Sequence, residues 1–278
     1  MSVVDFILNI VGLLLWFNWR AVHWNIPARP GVSLAGTLKC ATAPPSSRWI
    51  FFLALIALLF VRAFFYWQIG EALHWVPEIS LGPTALHFRS DLFGRMLLYS
   101  IFSFGITLAV FHIWLLLLSF VNADISDGNP QQKLVRLHLG PVERWPNLAK
   151  LFLPLLAGIL IWLALNPILL RMELIPKISF RHLLEQGALI GVAAYLALKF
   201  LLIGFLALYL LNSYVYLGEF AFWQFITFTA QRFLRPLQWL PLRIGKIDFV
   251  PALAIAAIFY AAEFSQRGLT QLFQKLPF

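Results

Sequence analysis

Six stretches of this 278-residue chain are almost wholly apolar: residues 3–17, 49–70, 93–122, 151–170, 187–217 and 249–264. Runs of about 15 to 30 apolar residues match what a helix needs to cross a hydrocarbon core ~30 Å thick. In that medium every backbone N–H and C=O must bond within the chain, so the runs are expected to be α-helices. Composition agrees, since the chain is 61% hydrophobic and 12% charged with mean hydropathy +0.81. A soluble domain carries about a quarter charged residues, and so few charges cannot cover a water-facing surface. The expected fold is all-α, a polytopic membrane protein of about six transmembrane helices arranged as three similar hairpins.

The first run differs from a cleaved secretory signal, because it contains Asp5 near its start and ends in WFNWR with no small-residue cleavage site. It reads as a retained helix. Trp16, Trp19, Trp24, Trp49, Trp67, Trp75, Trp145 and Trp239 fall at or near the run ends, where an indole places its ring in the acyl boundary and its N–H in water. Orientation follows from Lys and Arg in the loops. Loops 18–48, 123–150 and 218–248 each hold four, and the segments between the other runs hold fewer. Those three loops are therefore expected in the cytoplasm and both termini outside it.

The basic loops also resemble one another. Ser119 aligns with Ser213, Pro141 with Pro236 and Pro154 with Pro251, at nearly constant offset. Each hairpin reads as a descending helix, a proline-punctuated basic amphipathic stretch, and an ascending helix with proline in its first turn, where N–H groups lack partners anyway. The expected segments are an N-terminal hairpin over 1–92, a degraded copy, and two repeat hairpins over 93–170 and 171–278.

Ser119-Phe120, Asn129-Pro130 and Gly140-Pro141 in one copy, with Thr229, Arg235-Pro236, Leu240-Pro241 and the stretch Gly245 to Pro251 in the other, resemble the YggT family of bacterial membrane proteins and its plastid YlmG relatives. The resemblance covers roughly residues 115–264. Phe120 stands where that family has Trp, and Lys246 where it has Gly. The resemblance implies a multi-pass protein of the bacterial cytoplasmic membrane that organises the membrane or assists complex assembly, without cofactor or catalysis. A small transporter or channel is the alternative class.

Several residues are candidates for function. Arg232, Arg235, Arg243 and Lys246 are candidates for binding lipid or a partner, and the stretch from Phe222 to Leu242 alternates Phe, Trp and Leu with the arginines, the pattern of an interfacial segment whose apolar side enters the acyl boundary while cations meet phosphates. Arg62 and Lys199 lie inside apolar runs. A cation there is costly unless it snorkels or pairs, and the reading taken for both is snorkelling along the side-chain stem. The alternative is an intramembrane pair with an acid, for which Glu263 is best placed and Glu185 is a second candidate for Lys199. Asp248 precedes Phe249 and Pro251 and is expected to cap the last helix.

Other chemistry finds little support in the chain. The lone Cys40 excludes an internal disulfide or a CxxC pair, and the six histidines lack ligand spacing. His112, the histidine deepest in an apolar run, reads as a helix-to-helix hydrogen bonder. No phosphate-binding glycine loop, nucleophile set or paired carboxylates can be read. The formal charge of +9 is dispersed over short loops, which points to anionic lipid headgroups, with another membrane protein or a second copy as further partner, rather than nucleic acid.

Overall fold

A computed structural model describes residues 3–21, 48–73, 75–123, 130–215, 220–237, 243–244 and 247–275. Trp24, Cys40, Asn129, Trp239, Leu240, Pro241, Gly245 and Lys246 lie outside them, as do the side chains of Arg243 and Asp248. The described chain is dominated by helices: α1 (Val3–Ala21), α2 (Arg48–Leu73), α3 (Phe93–Val121), α4 (Pro130–Leu139), α5 (Asn147–Arg171), α6 (Phe180–Ala193), α7 (Leu198–Tyr214), α8 (Ala221–Leu234) and α9 (Val250–Gln274). Two short antiparallel pairs accompany them, β1 (Glu78–Ser80) with β2 (Ala85–His87) and β3 (Arg243–Ile244) with β4 (Ile247–Asp248).

Among the described residues, five segments are long and apolar enough to cross a bilayer: Val3–Arg20, Trp49–Gly70, Phe93–Val121, Asn147–Arg171 and Phe180–Tyr214. This is a helical membrane protein. Large apolar side chains such as Phe6, Leu14, Leu53, Phe65, Leu156 and Leu160 are exposed along these helices, a surface suited to acyl chains rather than to water. The expected sixth run begins α9, but that helix continues through Glu263, Gln266, Arg267, Thr270 and Gln271, and it is not among the five. The last of the five is 35 residues long, about 52 Å as a helix, so it must tilt or extend past a core of ~30 Å. It joins α6 to α7 through a 3-10 stretch, Ala194–Ala197.

The chain divides into two compact units, the first comprising residues 1–77 and 88–108 and the second 78–87 and 109–278. In the first, α1 packs along α2. Gly12 permits a close approach, because a Cβ there would lie 2.8 Å from the Phe104 ring. Tyr66, Trp75, Phe88 and Tyr99 contact one another edge to face or tilted, with centroids 5.2–6.2 Å apart, the arrangement ring quadrupoles favour.

In the second unit α5 packs on α6 and α7 on α9. The α5–α6 crossing is a glycine contact: a Cβ on Gly158 would meet the Gly191 Cα at 2.6 Å, and one on Gly191 would meet the Leu155 carbonyl at 2.7 Å. Without a hydrophobic drive between helices in lipid, such backbone approach supplies the packing. Two apolar cores follow. Leu115, Leu116 and Leu118 of α3 meet Val135 and Leu139 of α4 and Phe225 of α8, while Leu206 of α7 meets Ala230 and Leu234 of α8 and Val250 and Ala254 of α9.

Candidate functional site

The short helices α4 and α8 pack against each other, and their sequences dictate which sides do so. In α4, Gln132, Val135, His138 and Leu139 are buried, and in α8 Phe225, Ile226, Thr229, Ala230 and Leu234 are. Both sets recur every three or four residues, the spacing of one helix face. On the other faces Lys133, Leu134, Phe222, Phe228, Gln231 and Arg235 are exposed, as are Arg144, Trp145 and Leu148 just beyond α4. The exposed surface of these two helices and their flanks is therefore basic and aromatic. The sequence places an amphipathic stretch here, and α8 is that stretch over Ala221–Leu234, but its buried side fills the protein core rather than an acyl boundary.

The cations expected to form this face divide into two groups. Arg235 is exposed. Arg232 is half-buried, donates to the Val121 carbonyl and stacks 4.5 Å from the Phe228 ring centroid. It fastens α8 to the end of α3. Arg243 lies in β3.

Beside this face a buried polar knot closes the α3–α5 corner. The Ser119 hydroxyl, fully buried, donates to Glu143 Oε2 at 2.5 Å and accepts from Lys150 Nζ at 2.9 Å. Lys150 Nζ lies 3.7 Å from Glu143 Oε2, and Arg136 Nε the same distance from Glu143 Oε1. One carboxylate thus neutralises two of the loop's basic residues, leaving Lys133 and Arg144 on the exposed side. Next to it, Asn122 Nδ2 donates to Thr229 Oγ1 at 3.0 Å, joining α3 to α8.

In the first unit Arg62 has a different fate from the one its sequence position suggests. Snorkelling is overturned: the Arg62 side chain is 1% exposed and its Nη2 lies 2.7 Å from Asp5 Oδ1. Nη1 donates to Asn9 Oδ1 at 2.7 Å and Nη2 to Ser103 Oγ at 2.9 Å. The Asp5 carboxylate also accepts from Tyr66 at 2.5 Å and Tyr99 at 3.0 Å, and Asn9 Nδ2 donates to Ser103 Oγ at 3.0 Å. The physical reason is that a guanidinium reaching one buried carboxylate and several polar groups is satisfied in place. Glu263 is not the partner of Arg62, because it bonds Arg267 one turn on, at 3.1 Å and in the open. Lys199 is half-buried with its Nζ 5.1 Å from the Phe200 ring centroid, and Glu185 bonds Arg181 and His182.

The N-cap position of α9 is Phe249, and Asp248 just before it pairs in β4 with Arg243; the side chain of Asp248, on which the expected cap depends, lies outside the described residues. Pro251 occupies the first turn, buried, as its missing N–H allows. His112 makes an edge contact with Phe111.

Asp5, Asn9, Tyr66, Tyr99 and Ser103 were not singled out as a site from sequence, although a signal exists. Asp5 with Asn9, Arg62 with Tyr66, and Tyr99 with Ser103 are three polar pairs, each four residues apart within an apolar run. That spacing puts both members of each pair on one helix face. Among the described residues no group of three or more His, Cys, Asp and Glu is placed to hold a metal ion. The chain matches no protein-family model, no curated protein and no solved structure.

Proposed function

We propose that this protein is a non-catalytic membrane-organising or complex-assembly factor, working through basic hairpin loops on the cytoplasmic side of a bacterial inner membrane. The observation that carries this reading is the paired α4 and α8. Two short amphipathic helices pack on α3, α5 and α7, and along them and their flanks Lys133, Arg144 and Arg235 are exposed, as are Trp145 and Leu148. Cations beside an indole suit the anionic headgroup level, each contributing about 1 kcal/mol near such a surface. The buried charges neutralise one another in closed networks, which favours an organising role over transport, since transport sites are built where polar groups face an opening at mid-membrane.

The finer architecture belongs to the same proposal: six spans, three hairpins, both termini outside, and a YggT-like repeat. Its support is the element order. Helix, short helix, 3-10 turn, helix describes α3 to α5, and α7 to α9 runs in the same order with the β3–β4 pair inserted before the last helix.

The test uses intact protein purified in mild detergent, with bound lipid read by native mass spectrometry. Lys133→Gln, Arg144→Gln and Arg235→Gln together should strip retained anionic lipid while leaving zwitterionic lipid and melting unchanged. Unchanged anionic lipid in the triple variant would remove lipid from the reading and leave a protein partner as the use of this face.

A further inference from the structure

We infer that the Asp5 cluster is a cation-operated latch: α1 stays docked on α2 and α3 while a guanidinium fills the space between Asp5, Tyr66 and Tyr99, and Arg62 is its tethered occupant. The three helices contribute different chemistry. From α1 come two acceptors for the cation, the Asp5 carboxylate and Asn9 Oδ1, both 2.7 Å from guanidinium nitrogens. From α2 comes the cation, and from α3 come the Ser103 hydroxyl and the Tyr99 ring. The guanidinium carbon lies 5.4 Å from the Tyr66 ring centroid and 5.6 Å from that of Tyr99, within the range where ring faces attract a cation.

The recess is shaped by more than the arginine. Tyr66 and Tyr99 are fixed by their hydroxyl bonds to Asp5, and Trp75 and Phe88 brace the rings from behind. Phe88 is fully buried and Tyr99 nearly so. A carboxylate under aromatic walls is the chemistry that recognises a planar organic cation. Take the cation away and Asp5, 1% exposed, loses the guanidinium held 2.7 Å from its carboxylate, where charge is most costly. The face of α1 opposite this cluster is apolar, with Val3, Phe6, Ile7, Ile10 and Leu14 exposed. Undocking α1 is then the available relief. This device is independent of the lipid-facing loops.

The full chain in detergent tests it. Arg62→Ala should lower the melting temperature by about 6–12 °C. Millimolar guanidinium should restore at least half of that loss in a saturable way, whereas urea, the neutral molecule of the same shape, and sodium chloride at equal ionic strength should not. Adding Asp5→Asn to Arg62→Ala should abolish the response. Recovery equal with urea or salt would overturn the latch. Should Arg62→Ala fail to extract, Arg62→Lys and Arg62→Met carry the test: the lysine variant keeps charge without the fork and should melt between wild type and methionine, and identical melting of the two would overturn the proposal. Docking itself is read by a protease site introduced within residues 22–47 and cut after purification. The α1 fragment should stay bound in the wild-type background and be lost with Arg62→Met. Its retention there would contradict the latch.

Discussion

Lys150 and Lys199 show how differently one side chain behaves in two settings of the same unit. Lys150 is 5% exposed and held by Ser119 and Glu143, so its loss leaves the Glu143 carboxylate with one of its two neighbouring cations and empties a buried site bonded to Ser119. Lys199 lies over the Phe200 ring with part of its stem exposed, and its charge has a route out along that stem. Lys150→Met should therefore cost about 3 kcal/mol, the scale for breaking one side of a buried pair. Lys199→Met should change stability by less than about 1 kcal/mol. Thermal melting of the purified variants compares them directly. A severe loss at Lys199 with little at Lys150 would reverse the assignment. Sequence alone treats Arg62 and Lys199 as equals, since both are single cations in apolar runs. What separates them is three-dimensional: Asp5, 57 positions away, reaches Arg62. Its spacing from Asn9 was readable, but which helix it would face was not.

At the scale of elements, the positions of most helices were legible because apolar runs in lipid have one satisfactory backbone solution. Less legible was the 3-10 stretch between α6 and α7. Ala-Tyr-Leu-Ala contains no glycine or proline to announce it, and its Ala197 carbonyl is bonded by the Trp114 indole at 2.9 Å. The amphipathic α8 was foreseen, but its apolar side packs inward because α4, α7 and α9 converge on it. Arg232 and Arg235 consequently separate by role. Arg232→Gln should lower melting, by roughly 1–3 kcal/mol for a charged hydrogen bond lost, whereas Arg235→Gln should leave melting alone. Parallel destabilisation by both would show that Arg235 is also structural. The glycines give a second element-level expectation. Gly191→Ala would drive its methyl into the Leu155 carbonyl, while a Cβ on Gly204 meets nothing within 4 Å. Gly191→Ala should loosen α5 from α6 and cost about 1–3 kcal/mol. Gly204→Ala should be neutral or slightly stabilising, as removing a helix glycine usually is.

For the whole molecule, five segments long and apolar enough to cross a bilayer accompany the exposed cations of α4, α8 and their flanks, near the core where α3, α4 and α8 meet. The loop count from which an orientation is proposed is readable in the sequence. What it did not show is that Arg136 and Lys150 of one basic loop are neutralised by Glu143, so the exposed charge is smaller than the count. Everything proposed for the α4 and α8 face requires it to be cytoplasmic, with the α5–α6 turn on the opposite side. Single cysteines at Lys133, Gln231 and Lys177, all exposed positions, in a chain with Cys40 replaced by serine, decide this with a thiol reagent that cannot cross the inner membrane. In intact cells the account predicts labelling at position 177 alone, and labelling at 133 and 231 only after the membrane is opened. Labelling of 133 or 231 in intact cells, with 177 protected until permeabilisation, would contradict it.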